Sequence, residues 1–266
     1  MMQFVRHFLL AMQFFTRIPV TGRLANWVGY SPDMLRASAA HFPAIGILVG
    51  TVAAATFAGA VLFLPDTPAT LWLAAVLSTG VTVLLTGAFH EDGLADVADG
   101  LGGSTDRLRA LEIMKDSRLG TYGVLALVLG LFAKVGVLSV LGSESLELAC
   151  GALLGAHTVS RALPLLLVAV LPHVGDIGQS KSRPLAESIT AWSLAAASVW
   201  LLIALVPLTT ILDAVDWTIP LLISGLAAVW MWRLFLRRLQ GFTGDCLGAT
   251  QQVCELAFYL GLAFSL

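Results

Sequence analysis

"TYGVLALVLGLFAKVGVLSVL", residues 121–141, carries one charged side chain, Lys134, in an otherwise apolar run. A helix rises about 1.5 Å per residue, so a run of this length crosses the roughly 30 Å hydrocarbon core of a bilayer. Comparable runs lie at 37–64, 70–89, 147–171, 190–212 and 217–236, with a shorter one at 251–266. Composition agrees: 58% of the 266 residues are hydrophobic and 12% charged, against roughly 45–50% and about 25% in soluble domains. The expected fold is all-α, a polytopic membrane helix bundle of about six to seven transmembrane helices, with 1–266 as a single integral membrane domain.

The N-terminal stretch "MMQFVRHFLLAMQFFTRIPV" has Arg6, His7 and Arg17 bounding or interrupting its apolar run, and no small-residue cleavage site follows. It reads as an amphipathic interfacial helix, with Phe4, Phe8, Phe14 and Phe15 at the lipid boundary. Residues 1–36 therefore form an interfacial N-terminus. Cys150, Cys246 and Cys254 have neither metal-ligand spacing nor a disulfide framework.

Basic residues orient the bundle. The loops 65–69, 142–146 and 213–216 hold no Lys or Arg. On the other side lie Arg6, Arg17, Arg23, Arg36, Arg107, Arg109, Lys115, Arg118, Lys181, Arg183, Arg233, Arg237 and Arg238. The positive-inside rule makes that side cytoplasmic, including the N-terminus and the loops 90–120, 172–189 and 237–250. The remaining basic residues, Lys134 and Arg161, fall inside spans, where an ionisable group is costly and marks a candidate site. His157 lies one helical turn before Arg161 on the same face, and a deep cation there suits a phosphate.

The cytoplasmic loop 90–120 opens with "HEDGLADVADG", residues 90–100. Asp92, Asp96 and Asp99 share one helical face within about 60°. No Lys or Arg appears between His90 and Arg107, so these like charges call for a cation. Carboxylate oxygens with substrate phosphates suit Mg²⁺. Neither an EF-hand spacing nor H-E-x-x-H is present. Gly100, Gly102 and Gly103 are expected to break the helix, and Ser104 or Thr105 to cap the next one. "MKDSRLGTYG", 114–123, then offers Asp116 for metal and Lys115 and Arg118 for phosphate oxygens. A third polar cluster, "GFTGDCLGATQQVCE" at 241–255, offers Thr243, Asp245 and Gln251 among glycines that permit close backbone approach.

These pieces resemble the cobalamin synthase family (adenosylcobinamide-GDP ribazoletransferase). They are "FFTRIP" (14–19), "HFPAIGILVG" (41–50), "HEDGLADVADG" (90–100), "EIMKDSRLGTYG" (112–123), "SRALP" (160–164) and "TGDCLGATQQ" (243–252). Glu91 departs from the family's pattern, in which an aliphatic residue is expected at that position, and it lies off the aspartate face. The resemblance implies a bacterial inner-membrane enzyme joining adenosylcobinamide-GDP to α-ribazole or its 5′-phosphate, with release of GMP and Mg²⁺ as cofactor. Asp92, Asp96, Asp99 and Asp116 would hold the metal, with His90 or a free aspartate as base. Lys115, Arg118 and Arg161 would bind phosphate, and Asp245, Thr243 and Gln251 would complete the substrate site. The implied partners are these small molecules and the bilayer, with no nucleic acid; a homo-oligomer is compatible. Asp96-x-x-Asp99-Gly100 also resembles part of the CDP-alcohol phosphotransferase signature, but the Ala-Arg after that Gly is absent. A transporter, the other alternative, would place its ionisable groups at the midplane, often within internal repeats.

Overall fold

A computed structural model describes residues 2–175 and 189–266. Lys181 and Arg183 lie outside the described residues. The chain begins with α1 (Met2–Phe15), α2 (Gly22–Val28) and α3 (Pro32–Ser38), then a 3-10 turn (Ala39–His41) leading into α4 (Phe42–Phe63). It continues through α5 (Pro68–Thr86), α6 (Phe89–Gly103), α7 (Arg107–Met114), α8 (Thr121–Glu144) and α9 (Leu146–Val170). The last three helices are α10 (Ala191–Ile211), α11 (Thr218–Arg238) and α12 (Gly244–Phe264). No β-strand occurs among the described residues.

Six helices are long and apolar enough to cross a membrane, at Pro32–Phe63, Ala69–Thr86, Thr121–Glu144, Leu146–Val170, Ala191–Ile211 and Thr218–Arg238. Their outward faces are apolar: Leu129, Phe132 and Trp192 are 66%, 67% and 85% exposed. Their inward faces hold polar groups, with Lys134, His157 and Arg161 buried. This inside-out distribution fits a lipid solvent, where apolar side chains face outward at no cost and polar groups must find partners inside.

Packing begins with α4 against α9. Gly46 lies against the backbone of His157 and Thr158, and Gly50 lies against the Leu153 carbonyl. The small-xxx-small pattern of α4 thus brings two backbones together. Gly151 and Gly155 instead face side chains, those of Leu212 and Phe258.

Two segments depart from the sequence reading. Instead of a short terminal run from 251, α12 begins at Gly244 and sits inside the bundle, against α6, α9 and α11. Its Gln251, Cys254, Glu255 and Tyr259 are buried. And α6 passes through Gly100 and Gly102 before ending at Gly103. There the glycines serve packing: a Cβ on Gly100 would meet the Ala110 carbonyl at 2.9 Å. The N-cap of α7 is Asp106 itself, whose Oδ1 accepts from Arg109 N at 2.8 Å. That leaves Ser104 bonded to the backbone of Asp106.

The N-terminal helix also turns more of its aromatic face toward protein than expected. Phe15 is buried against Phe42. Phe4 and Phe8 pack on His41, whose Nδ1 accepts from Trp200 Nε1 at 3.2 Å. Phe4 nevertheless remains 49% exposed, so this helix keeps an apolar outer edge.

Candidate functional site

The chain reverses between α5 and α6 through Gly87 (φ 67°) and Ala88 (φ 58°). Two left-handed residues fold α6 back, and Arg17 N caps the end of α5 by donating to the Leu85 carbonyl at 2.7 Å. α6 then packs between α8 and α12. Gly93 permits this approach: a Cβ there would meet the Asp245 carbonyl at 2.8 Å. At Gly248 a Cβ would press on His90 at 3.3 Å.

This contact collects acids from two helices. Asp92 is exposed, Asp96 half-buried, and Asp245 stands on the first turn of α12. Burial, together with the charges of Asp245, Asp92 and Asp99, pushes the Asp96 carboxyl up to about 7. Like charges are thus crowded with no cation among them, an oxygen-rich set that fits a hard divalent ion completed by water or phosphate. Among the described residues no three His, Cys, Asp or Glu side chains are gathered as a ready-made metal site, so an ion here would draw on one or two of these carboxylates, with water and phosphate completing its shell.

Two of the expected ligands have other partners. Asp99 is buried, and its Oδ2 and Oδ1 accept from Gly120 N at 2.7 Å and Gly123 N at 2.8 Å. It thereby caps the N-terminus of α8. Asp116 is held by Arg118, whose Nη2 donates to Oδ2 at 2.5 Å. That pairing lowers the Asp116 carboxyl to about 2. Lys115 and Arg118 are exposed on the segment leading to Gly120, so the Asp99 bonds anchor this basic segment to the end of α6.

Behind the acids lies a buried polar network. Glu255 pairs with Lys134 across α12 and α8. Its Oε2 also receives Gln251 Nε2 at 2.6 Å and faces His157 Nδ1 at 3.3 Å, while Tyr259 Oη donates to Oε1 at 3.2 Å. Gln251 Nε2 further donates to Ser160 Oγ at 3.0 Å. Gln252 Nε2 donates to Glu91 Oε1 at 3.1 Å, so Glu91 turns away from the aspartates into this network. Arg161 Nη1 lies 3.0 Å from His157 Nδ1 and donates to the His157 carbonyl at 3.1 Å. Thr243 caps α12, accepting from Cys246 N at 3.4 Å.

His90 lines a cavity beside the network, with Arg161, Gln251 and the rings of Phe14, Phe15, Phe42 and Phe89. Burial, and then the Arg161 charge, holds its imidazole well below the ordinary range. Sequence reasoning missed Glu255, Gln252 and Tyr259, and it set Glu91 aside. The available signal was the depth of Lys134 and Arg161, which required buried acids on a facing helix.

The fold and site define a polytopic helical membrane protein with an acidic cluster beside a basic segment and an aromatic cavity at one end of the bundle. The chain belongs to the family described as cobalamin-5-phosphate synthase, whose model matches residues 7–263. It is 61% identical to the adenosylcobinamide-GDP ribazoletransferase of Polaromonas naphthalenivorans, covering 100% of each chain. The protein of that name from Polaromonas sp. strain JS666 is 59% identical over 99% of this chain and 98% of its own. That from Vibrio cholerae is 40% identical, over 95% and 91%. No solved structure matches the chain.

Proposed function

We propose that this protein joins adenosylcobinamide-GDP to α-ribazole or its 5′-phosphate, releasing GMP. The observation that carries the reading is the acidic cluster of Asp92, Asp96 and Asp245 next to the Lys115–Arg118 segment, in a chain similar over its full length to ribazoletransferases. A ribazole hydroxyl oxygen bonds to the phosphorus that carries cobinamide. The bond from that phosphorus to the bridging oxygen breaks, and the electron pair leaves with GMP. The hydroxyl proton goes to a neighbouring base. An aspartate of the cluster that the metal leaves free, or the neutral imidazole of His90, would receive it.

Phosphoryl transfer depends chiefly on positioning and charge neutralisation. One or two of Asp92, Asp96 and Asp245 would hold Mg²⁺, which when bound would neutralise the diphosphate and stabilise the leaving oxygen. Lys115 and Arg118 bind phosphate oxygens; Arg118 does so by exchanging Asp116 for substrate. Asp99 keeps the basic segment in register with the acids. The corrinoid, too large for the cavity, lies at the cytoplasmic face of a bacterial inner membrane, with the N-terminus and loop 90–120 on the same side.

The test is the purified protein in detergent with adenosylcobinamide-GDP, α-ribazole 5′-phosphate and Mg²⁺, following GMP and the joined corrinoid together. Equimolar appearance of both is expected. Transfer from CDP-diacylglycerol with no corrinoid product would instead assign the chain to lipid phosphotransfer.

A further inference from the structure

The cavity beside His90 is walled by rings. Phe15 and Phe42 stand edge to face at 4.2 Å, Phe14 and Phe15 each lie 5.8 Å from Phe89, and Phe15 lies nearly parallel to His90 at 6.2 Å. Gly244 and Gly248 give one wall without side chains, and Asp245 follows directly in sequence. The cavity therefore adjoins the acidic cluster where α6 and α12 meet, between His90 and Gly244.

Arg161 supplies the second observation. It is 5% exposed and lines the cavity, and its Nε–H has no hydrogen-bond partner. An unpaired buried donor is costly, and an acceptor beside the guanidinium would offset that cost. The ligand chemistry follows from the walls. Arg161 is the one cation among the residues lining this cavity, and apart from His90 and Gln251 the rest of its wall is apolar or glycine. Lys134 is already engaged by Glu255. A single guanidinium among apolar aromatic walls suits a flat ring that carries an acceptor nitrogen.

We propose that this cavity receives the base of the ribazole acceptor, a planar apolar bicycle with one unsubstituted ring nitrogen, and that the Arg161 guanidinium donates to that nitrogen. The assignment rests on the transferase reading above, and it moves Arg161 from phosphate binding to base recognition. The aromatic rings hold the bicycle, and the Gly244 side leaves its ribose toward Asp245. His157 acts as a positioning residue, fixing the guanidinium through Nη1.

Two measurements on the full-length protein in detergent test this. The first titrates α-ribazole alone, read by its own fluorescence, against wild type, Phe89→Ala and Arg161→Met. Binding should weaken about tenfold or more in both variants, while KM for adenosylcobinamide-GDP stays within about twofold. The second compares α-ribazole with an analogue carrying CH in place of the ring nitrogen. Wild type should bind the analogue about tenfold more weakly, and Arg161→Met should bind the two alike. This comparison uses wild type as its own reference, so a poorly folding variant cannot decide it. Equal binding of both ligands by wild type would overturn the proposal. So would a loss in Arg161→Met confined to the 5′-phosphorylated acceptor, which would return Arg161 to phosphate. If wild type forms product but neither variant changes acceptor binding, the cavity assignment alone fails. If wild type neither binds nor consumes α-ribazole, the transferase reading itself falls.

Discussion

Asp99 and Gly120 are bonded across two helices: Gly120 N donates to Asp99 Oδ2 at 2.7 Å, while Gly123 N takes the other carboxylate oxygen at 2.8 Å. The acid of α6 is therefore also the cap of α8. A buried anion at a helix N-terminus meets both the orphaned N–H groups and the positive end of the dipole. Asp99→Ala is expected to cost about 1–3 kcal/mol, seen as a lower unfolding midpoint in detergent. Asp96→Asn should leave that midpoint nearly unchanged. Equal stability losses in the two variants would contradict the capping role.

The pair of Lys134 and Glu255 sets up a second expectation. Removing either partner leaves a charge buried among helices. Lys134→Met or Glu255→Gln alone should destabilise by about 3–5 kcal/mol, and the double variant should recover much of the loss. Thermal unfolding of all four proteins completes the cycle. Strict additivity would mean that Glu255 is satisfied by His157, Gln251 and Tyr259 without the ammonium.

Metal dependence gives a third. The crowding that pushes Asp96 up to about 7 leaves the cluster short of positive charge. Asp96→Asn is expected to lower turnover at least about a hundredfold. Asp92→Asn should raise the Mg²⁺ concentration needed for half-maximal GMP release. Chelation should abolish release and added Mg²⁺ restore it. Full turnover by chelated enzyme would remove the metal from the scheme.

These expectations show where sequence is informative. The six apolar spans were legible because hydropathy is a local property, and their observed limits lie within a few residues of the runs. The acidic face was legible for the same reason, since Asp92, Asp96 and Asp99 are neighbours on one helix. α12 was harder: Asp245, Gln251 and Glu255 lower its hydropathy, and their partners Lys134 and Ser160 lie on α8 and α9. The part played by Asp99 was hidden because its acceptors serve backbone N–H groups, which carry no residue-type signal. Glu91 shows a limit of helical-face reasoning. Being off the aspartate face was correctly read, but that face is covered by Gln252, and the chain buries it.

Helix packing supplies a fourth prediction. A Cβ on Gly50 would meet the Leu153 carbonyl at 2.9 Å, and Gly46 is closer still to the His157 carbonyl. Neither obstacle is a flexible side chain, so the helices must separate. Gly46→Ala should cost about 1–3 kcal/mol or more and, by moving His157, weaken acceptor binding as well. Gly59, with open space around it, is the control: Gly59→Ala should leave the unfolding midpoint unchanged or slightly raised. A Gly46→Ala protein as stable as Gly59→Ala would show that the backbones of α4 and α9 do not meet at Gly46.

Orientation yields the last prediction. Loop 65–69 and the single-residue turn at Ser145 carry no basic side chains, while the α6–α7 connection is tied down by arginines: Arg238 Nη2 donates to the Ser104 carbonyl at 2.6 Å and Arg107 Nε to the Leu239 carbonyl at 2.6 Å. Those arginines hold structure as well as topology, so reversing the bundle would have to move a folded basic face across the bilayer. With the three native cysteines replaced by serine, Asp66→Cys should react with a membrane-impermeant maleimide in intact cells. Thr105→Cys, which is exposed on the other side, should react only after the membrane is opened. The reverse pattern would place the acidic cluster outside the cell, away from nucleotide-activated substrates, and would overturn the cytoplasmic assignment together with the reaction that depends on it.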